Sequence, residues 1–196
     1  MHTKIYLIRH GRSVANDTGL FGGRTDYELS AEGRKQAEQL KGKFKNVKID
    51  KIYSSPLKRA IETVRPLARV LGKEINIEPD LTEIYVGKWE NILRDKLREM
   101  YPEQNKYIDD TEHYAGMEGQ EDTSEVAERM YNALRKIAEE NKGKTVACAS
   151  HLVAIRAFLC KIKNYPFNRT KELIGDIANT GYVIIDYDHT NNKFNW

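Results

Sequence analysis

Two arginines, two histidines and a glutamate in this 196-residue chain could together handle a phosphate group: Arg9, His10, Arg59, His151 and Glu83. Cations suit a dianionic, tetrahedral group, above all where a helix amino terminus adds backbone N–H donors. A neutral imidazole nitrogen can attack phosphorus and carry the phosphoryl group, which splits transfer into two displacements. One histidine attacks, and the other helps bind the transferring oxygens. The departing alkoxide then needs a proton from a carboxylic acid, and Glu83 is the best placed by its order along the chain.

Strand ends must bring these residues together. The apolar run Ile5-Tyr6-Leu7-Ile8 reads as a strand buried on both faces, and it stops at Arg9-His10-Gly11, where glycine lets the backbone turn. Similar strands are expected over Lys51–Ser54 and from Thr145 to a second terminal histidine, His151. Open α/β sheets collect ligands beyond the carboxyl ends of such strands. After the second strand, Ser55 is expected to cap a helix with Pro56 in its first position and Arg59 in its first turn. That helix carries Leu57, Ile61, Val64, Ala68 and Leu71 inward and ends at Gly72. An arginine at the positive end of a helix dipole is unfavourable unless an anion shares the site.

The remaining periodicity completes the pattern. Ser30 can cap a helix bearing Ala37, Leu40 and Phe44; Glu74–Ile77 reads as a short strand near an edge. A long amphipathic helix spans about Thr123 to Asn141 with Val126, Met130, Leu134 and Ile137 inward. An apolar helix with Arg156 follows over Leu152 to Ile162, and Tyr182–Tyr187 is a closing strand. Strands alternating with helices predict an α/β fold, a three-layer α/β/α sandwich around a mostly parallel sheet. With the three buried strands parallel, Arg9, His10, Arg59 and His151 converge on one crevice.

Two stretches are irregular. Thr18 to Asp26 is a glycine-rich loop whose N–H groups, at Gly22 and Gly23 among others, suit an anion as well as any tight turn. From about residue 84 to 122 the pattern weakens to a short charged helix near Arg94–Met100 and a polar stretch, expected as a lid-like excursion. Tyr85, Trp89, Tyr107, His113 and Tyr114 could line a pocket for a ring-bearing leaving group.

The composition fits a single soluble domain over 1–196: 40% apolar and 31% charged residues, with 32 Lys and Arg scattered beside 29 acids. A net charge of +3 is too small to imply nucleic acid, and no apolar run reaches membrane-spanning length. The start lacks the apolar segment of a signal peptide, and Cys148 and Cys160 read as small buried hydrophobes. A cytoplasmic protein is expected.

Taken in order, these pieces resemble the histidine phosphatase superfamily, in its phosphoglycerate-mutase-like branch. Arg9-His10-Gly11 with Ser13 and Asn16 matches its signature; Gly23, Asp26, Leu29, Ser30, Gly33, Gln36 and Ala37 fit the next loop and helix. Ile52–Leu57 with Arg59, Ala60 and Thr63 resembles the second motif, Glu83, Gly87, Trp89 and Glu90 the acid-bearing segment, and Ser150-His151 with Arg156 the last. The resemblance implies His10 as phosphorylated nucleophile, Glu83 as acid and later base, and Arg9, Arg59 and His151 around the phosphoryl group. It implies phosphate contacts from Asn16, Gly22, Gly23 and Leu152, no metal and no cofactor. The expected substrate is a small phosphate ester, such as a sugar phosphate, an alpha-ribazole-type phosphate or phosphoglycerate, taken by a monomer or homodimer. Arg12, Asn91, Leu152-Val153 and the Gly119-Gln120-Glu121-Asp122 stretch depart from the family's usual residues. Mutase-type transfer to another metabolite, an inert phosphate-binding module and a metal site at His10, His151 and Glu83 are the competing readings. The flanking arginines would repel a cation from the last.

Overall fold

The computed structural model describes residues 1–104 and 119–196, so the expectations placed on Tyr107, His113 and Tyr114 lie outside the described residues. The described residues form a six-stranded sheet in the order β3-β2-β4-β1-β5-β6. Its strands are β1 (His2–Arg9), β2 (Lys51–Ser54), β3 (Ile75–Ile77), β4 (Thr145–Ser150), β5 (Tyr182–Asp188) and β6 (Lys193–Asn195). Strands β3, β2, β4 and β1 run parallel, while β5 and β6 pair antiparallel. The parallel pairing Arg9↔Ser150 and Ser54↔Ala149 brings three strand ends level, which is the condition for a shared crevice.

Side chains alternate between faces along each strand, so one strand serves two cores. Ile5, Leu7, Val146 and Cys148 face α5 (Thr123–Glu140) and α6 (Leu152–Lys163). Tyr6, Ile8, Ala147 and Ala149 face α2 (Ala31–Lys43) and α3 (Lys58–Leu71). Helices therefore cover both faces, as the unalternating apolar strands require. The expected inward residues of α5, Val126, Met130, Leu134 and Ile137, are all fully buried, as are both cysteines.

Local details differ from expectation in three places. Residues Val14–Thr18, for which the sequence pattern predicts no element, form the short helix α1, because Ser13 and Asn16 make a reciprocal capping box and Gly19 ends it left-handed. The N-cap of α3 is Leu57, whose side chain makes no capping bond; Pro56 lies before the helix, and the Ser55 hydroxyl accepts from the Leu57 amide at 3.3 Å while also meeting His151. Its buried stripe is Ala60, Thr63, Val64, Leu67 and Ala68, which leaves Ile61 and Leu71 partly exposed. The short helix α4 (Arg94–Met100) forms where expected. No helix among the described residues is long and apolar enough to cross a membrane.

Candidate active site

At the end of β1, the His10 ring is buried and its Nδ1 lies 2.7 Å from the Gly11 carbonyl. A carbonyl only accepts, so Nδ1 carries the proton and Nε2 keeps its lone pair. Burial, then the Arg59 charge, hold the His10 pKa well below its ordinary 6.5 against the Gly11 hydrogen bond, so the ring is neutral. His151, at the end of β4, is depressed in the same way, by burial, then by Arg59 and His10. The two ring centroids are 5.1 Å apart. His151 is fully buried behind His10, with Nε2 2.8 Å from the Ser55 hydroxyl and Nδ1 without a partner.

The crevice is an open pocket at these strand ends. Its wall includes Arg9, His10, Asn16, Gly22, Gly23, Arg59, Glu83 and Leu152, every expected site residue except His151. Arg59 sits in the first turn of α3, buried, and donates to the Thr25 and Gly23 carbonyls at 2.9 and 2.6 Å. The cation thus ties the glycine-rich loop to the pocket. Glu90 holds that loop from outside, accepting from the Arg24 and Thr25 amides at 2.7 Å each. Gly23 has φ +40, and a Cβ there would come within 2.0 Å of the Glu90 carboxylate, so the approach requires glycine. Arg9 donates to the Ile177 carbonyl at 2.5 Å, with Asp176 at 3.7 Å. Burial lowers the pKa of both arginines, Asp176 and Glu83 opposing it at Arg9 and Glu83 and Asp26 at Arg59. Guanidinium groups nevertheless stay charged in proteins.

Glu83 rests on the amino terminus of α6. Its carboxylate accepts from the Ile84 and Ala154 amides at 3.0 Å and from Val153 at 3.3 Å. Since the backbone supplies these donors, Leu152-Val153 can stand where the family has glycines. Asn91 is likewise accommodated: its φ is +61, a conformation asparagine tolerates better than most residues. Asp122 serves as N-cap of α5 through a capping box with Glu125. Arg12 pairs with Asp17 beside α1. Asn16 turns its side-chain oxygen to Ser13, which leaves its amide nitrogen as the donor available to the pocket.

Phe21 and Arg94 also line the pocket and were not singled out from the sequence. The Arg94 guanidinium lies 4.3 Å from the Phe21 ring centroid. Arg94 opens α4, and a cation in a first helical turn was the one available signal, the same that marked Arg59. Among the described residues, no group of three or more His, Cys, Asp or Glu side chains is arranged to hold a metal ion.

Residues 5–196 match the model of the histidine phosphatase superfamily, branch 1. Phosphoserine phosphatase 1 of Hydrogenobacter thermophilus is 30% identical over 189 residues, covering 96% of this chain and 89% of the relative. Among solved structures, YhfR of Bacillus stearothermophilus superposes with a TM-score of 0.90 at 26% identity, covering 98% of this chain and 94% of the other. A mutant phosphoserine phosphatase of Entamoeba histolytica in complex with phosphoserine gives 0.76 at 25% identity, again over 98% and 94%.

Proposed function

The chain belongs to the histidine phosphatase superfamily, branch 1, and acts as a phosphatase; we propose that it hydrolyses small phosphate monoesters through a phosphohistidine at His10. The observation that carries this reading is the Gly11 carbonyl on Nδ1, which leaves a neutral Nε2 at the pocket between Arg9 and Arg59. In the first displacement Nε2 bonds to phosphorus, the ester P–O bond breaks, and Glu83 gives a proton to the leaving oxygen. In the second, water attacks phosphorus, the P–N bond breaks, and Glu83 takes the water's proton. Arg9, Arg59, the Asn16 amide and the N–H groups at Gly22, Gly23 and Leu152 hold the equatorial oxygens, with His151 closing in from behind His10.

The substrate class follows from the rest of the wall. Arg94 adds a third cation to the pocket wall, its guanidinium against the Phe21 ring. A phosphate ester whose leaving group bears a carboxylate would meet it, and two of the similar proteins named above carry phosphoserine in their names. We therefore infer a phosphorylated hydroxy or amino acid as the preferred class.

Brief mixing with phosphoserine, phosphoglycerate and sugar phosphates, followed by parallel assays of free phosphate and acid-labile label on the His10 peptide, tests both statements. Label at His10 with phosphate release supports the reading. Label that passes to another metabolite instead would make the enzyme a mutase, and neither label nor release would leave a binding module.

A further inference from the structure

Regular pairing between β1 and β5 ends at Ile8↔Tyr182, short of the two residues that matter. A tight turn, closed by the Gly181 amide on the Ala178 carbonyl at 2.7 Å, takes over from there. The Arg9 amide donates to Gly181 at 2.9 Å, and the Thr180 amide donates to the Arg9 carbonyl at 3.1 Å. The next carbonyl, that of His10, accepts from the Asn179 side-chain amide at 2.9 Å, while the Thr180 amide, shared with Arg9, reaches it at 3.4 Å. The turn is strained, since Thr180 is buried with φ +56. A β-branched residue in the left-handed region costs on the order of 1–3 kcal/mol and persists only where its surroundings over-determine it.

From the opposite side, the Gly11 amide donates to the Thr63 hydroxyl at 2.8 Å, and that hydroxyl donates onward to the Arg59 carbonyl at 2.6 Å. One peptide group, His10–Gly11, is therefore held at its oxygen by Asn179 and at its nitrogen by Thr63. Rotation of that plane would move the His10 side chain relative to the Gly11 carbonyl that fixes its tautomer.

We propose that Asn179 and Thr63 are positioning residues that clamp the His10–Gly11 peptide and so keep the His10 Nε2 lone pair aimed into the pocket. The proposal rests on His10 as the attacking group. Neither residue lines the pocket. They act on the rate of phosphoryl transfer to His10 and not on phosphate affinity.

The test uses Asn179→Ala, Thr63→Val, Thr63→Ser and the double variant Asn179→Ala/Thr63→Val. Quench-flow measures phosphorylation of His10, titration with inorganic phosphate measures binding, and nitrogen-15 NMR of the imidazole reads its tautomer. Asn179→Ala and Thr63→Val should each slow phosphorylation by up to about a hundredfold, the scale of a small misplacement of a reacting atom. Phosphate affinity should stay near that of the unaltered protein, the Nδ1–H tautomer should lose its dominance, and Thr63→Ser should restore the rate. The double variant should be no slower than the slower single one, because both release the same peptide. Unchanged rates, fully additive losses, or phosphate affinity falling in step with rate would each overturn the clamp. Should Thr63→Val fail to fold, the tautomer and rate of Asn179→Ala decide alone. Absence of label in the unaltered protein would sink the phosphohistidine reading, and the NMR tautomer would still judge the clamp.

Discussion

The Glu83 carboxylate lies 3.0 Å from the Ala154 amide, so the acid assigned to the leaving group is docked on the first turn of α6. Backbone donors fix its place at the pocket wall without a second charged side chain. Replacing it with glutamine keeps an oxygen for the Ile84 and Ala154 amides, which share Oε1, but supplies no transferable proton. Turnover of alkyl phosphates should fall by about 10²–10⁴, whereas p-nitrophenyl phosphate, whose leaving group needs little protonation, should lose far less. Equal losses on both substrates would remove Glu83 from the acid role.

His10 and His151 set the pH response. Both are neutral in the fold, with pKa values well below 6.5, while the unfolded chain binds protons near that value. As pH falls below about 6.5 the unfolded state takes up protons that the folded state refuses, so stability declines with acidity and is fully present above that value. Activity follows a different limit, because Nε2 stays unprotonated until pH reaches the depressed folded pKa. The acid limb of kcat/KM should therefore fall below pH 6.5, and His10→Ala should abolish turnover while leaving the fold intact. An acid limb centred at 6.5 or higher would contradict a buried, neutral nucleophile.

Much of this was legible in the chain, for identifiable reasons. Buried parallel strands carry unbroken apolar runs, so β1 and β4 stood out, and their terminal histidines marked the crevice. Residues acting through the backbone were harder to see. Leu152 and Val153 depart from the family in their side chains, yet it is backbone amides, at Val153 and Ala154, that hold Glu83. Helix α1 escaped notice because five residues capped by Ser13 and Asn16 carry no periodicity. Arg94 is far from Phe21 in sequence, and backbone bonds between the two segments, Phe21 to Ile92, Asn91 to Phe21 and Arg94 to Gly19, bring it beside that ring.

Two glycines of α2 should respond oppositely to alanine. At Gly33 a Cβ would lie 1.8 Å from the Arg12 carbonyl, a backbone atom that cannot move without disturbing the turn after His10. Gly33→Ala should cost about 1–3 kcal/mol or more and lower turnover. At Gly42, also within the helix, a Cβ meets nothing within 4 Å. Gly42→Ala should stabilise by about 0.5–1 kcal/mol, through helix propensity and a less flexible unfolded chain. Denaturant midpoints measured on the two variants decide it, and shifts of the same sign would contradict the packing around Gly33.

Arg129, paired with Glu121, holds the backbone of Glu83. Arg129 donates through Nε and Nη2 to the two Glu121 carboxylate oxygens at 2.7 and 3.0 Å, and it also reaches the carbonyls of Asp80, Thr82 and Glu83. Arg24 of the glycine-rich loop joins the same carboxylate at 2.9 Å and the Glu83 carbonyl at 3.0 Å. Burial alone would raise the Glu121 pKa, but the Arg129 hydrogen bond, both guanidinium charges and the Tyr85 amide together hold it below 4.5. Its contribution is present above pH 4.5 and is lost as pH falls through the lowered value. Both side chains of the pair are only 14% exposed. Arg129→Ala should therefore cost about 1–3 kcal/mol, since it leaves several carbonyls unsatisfied and the Glu121 carboxylate, held by Arg24 and the Tyr85 amide, without its bidentate partner. In a Glu121→Gln background the same substitution breaks no ion pair and should cost less, giving a coupling of about 0.5–3 kcal/mol in a double-mutant cycle. Because Arg129 also anchors the Glu83 backbone, its loss should slow alkyl phosphates more than p-nitrophenyl phosphate. Additive stabilities together with a leaving-group profile like that of the unaltered enzyme would show the network to be independent of the acid.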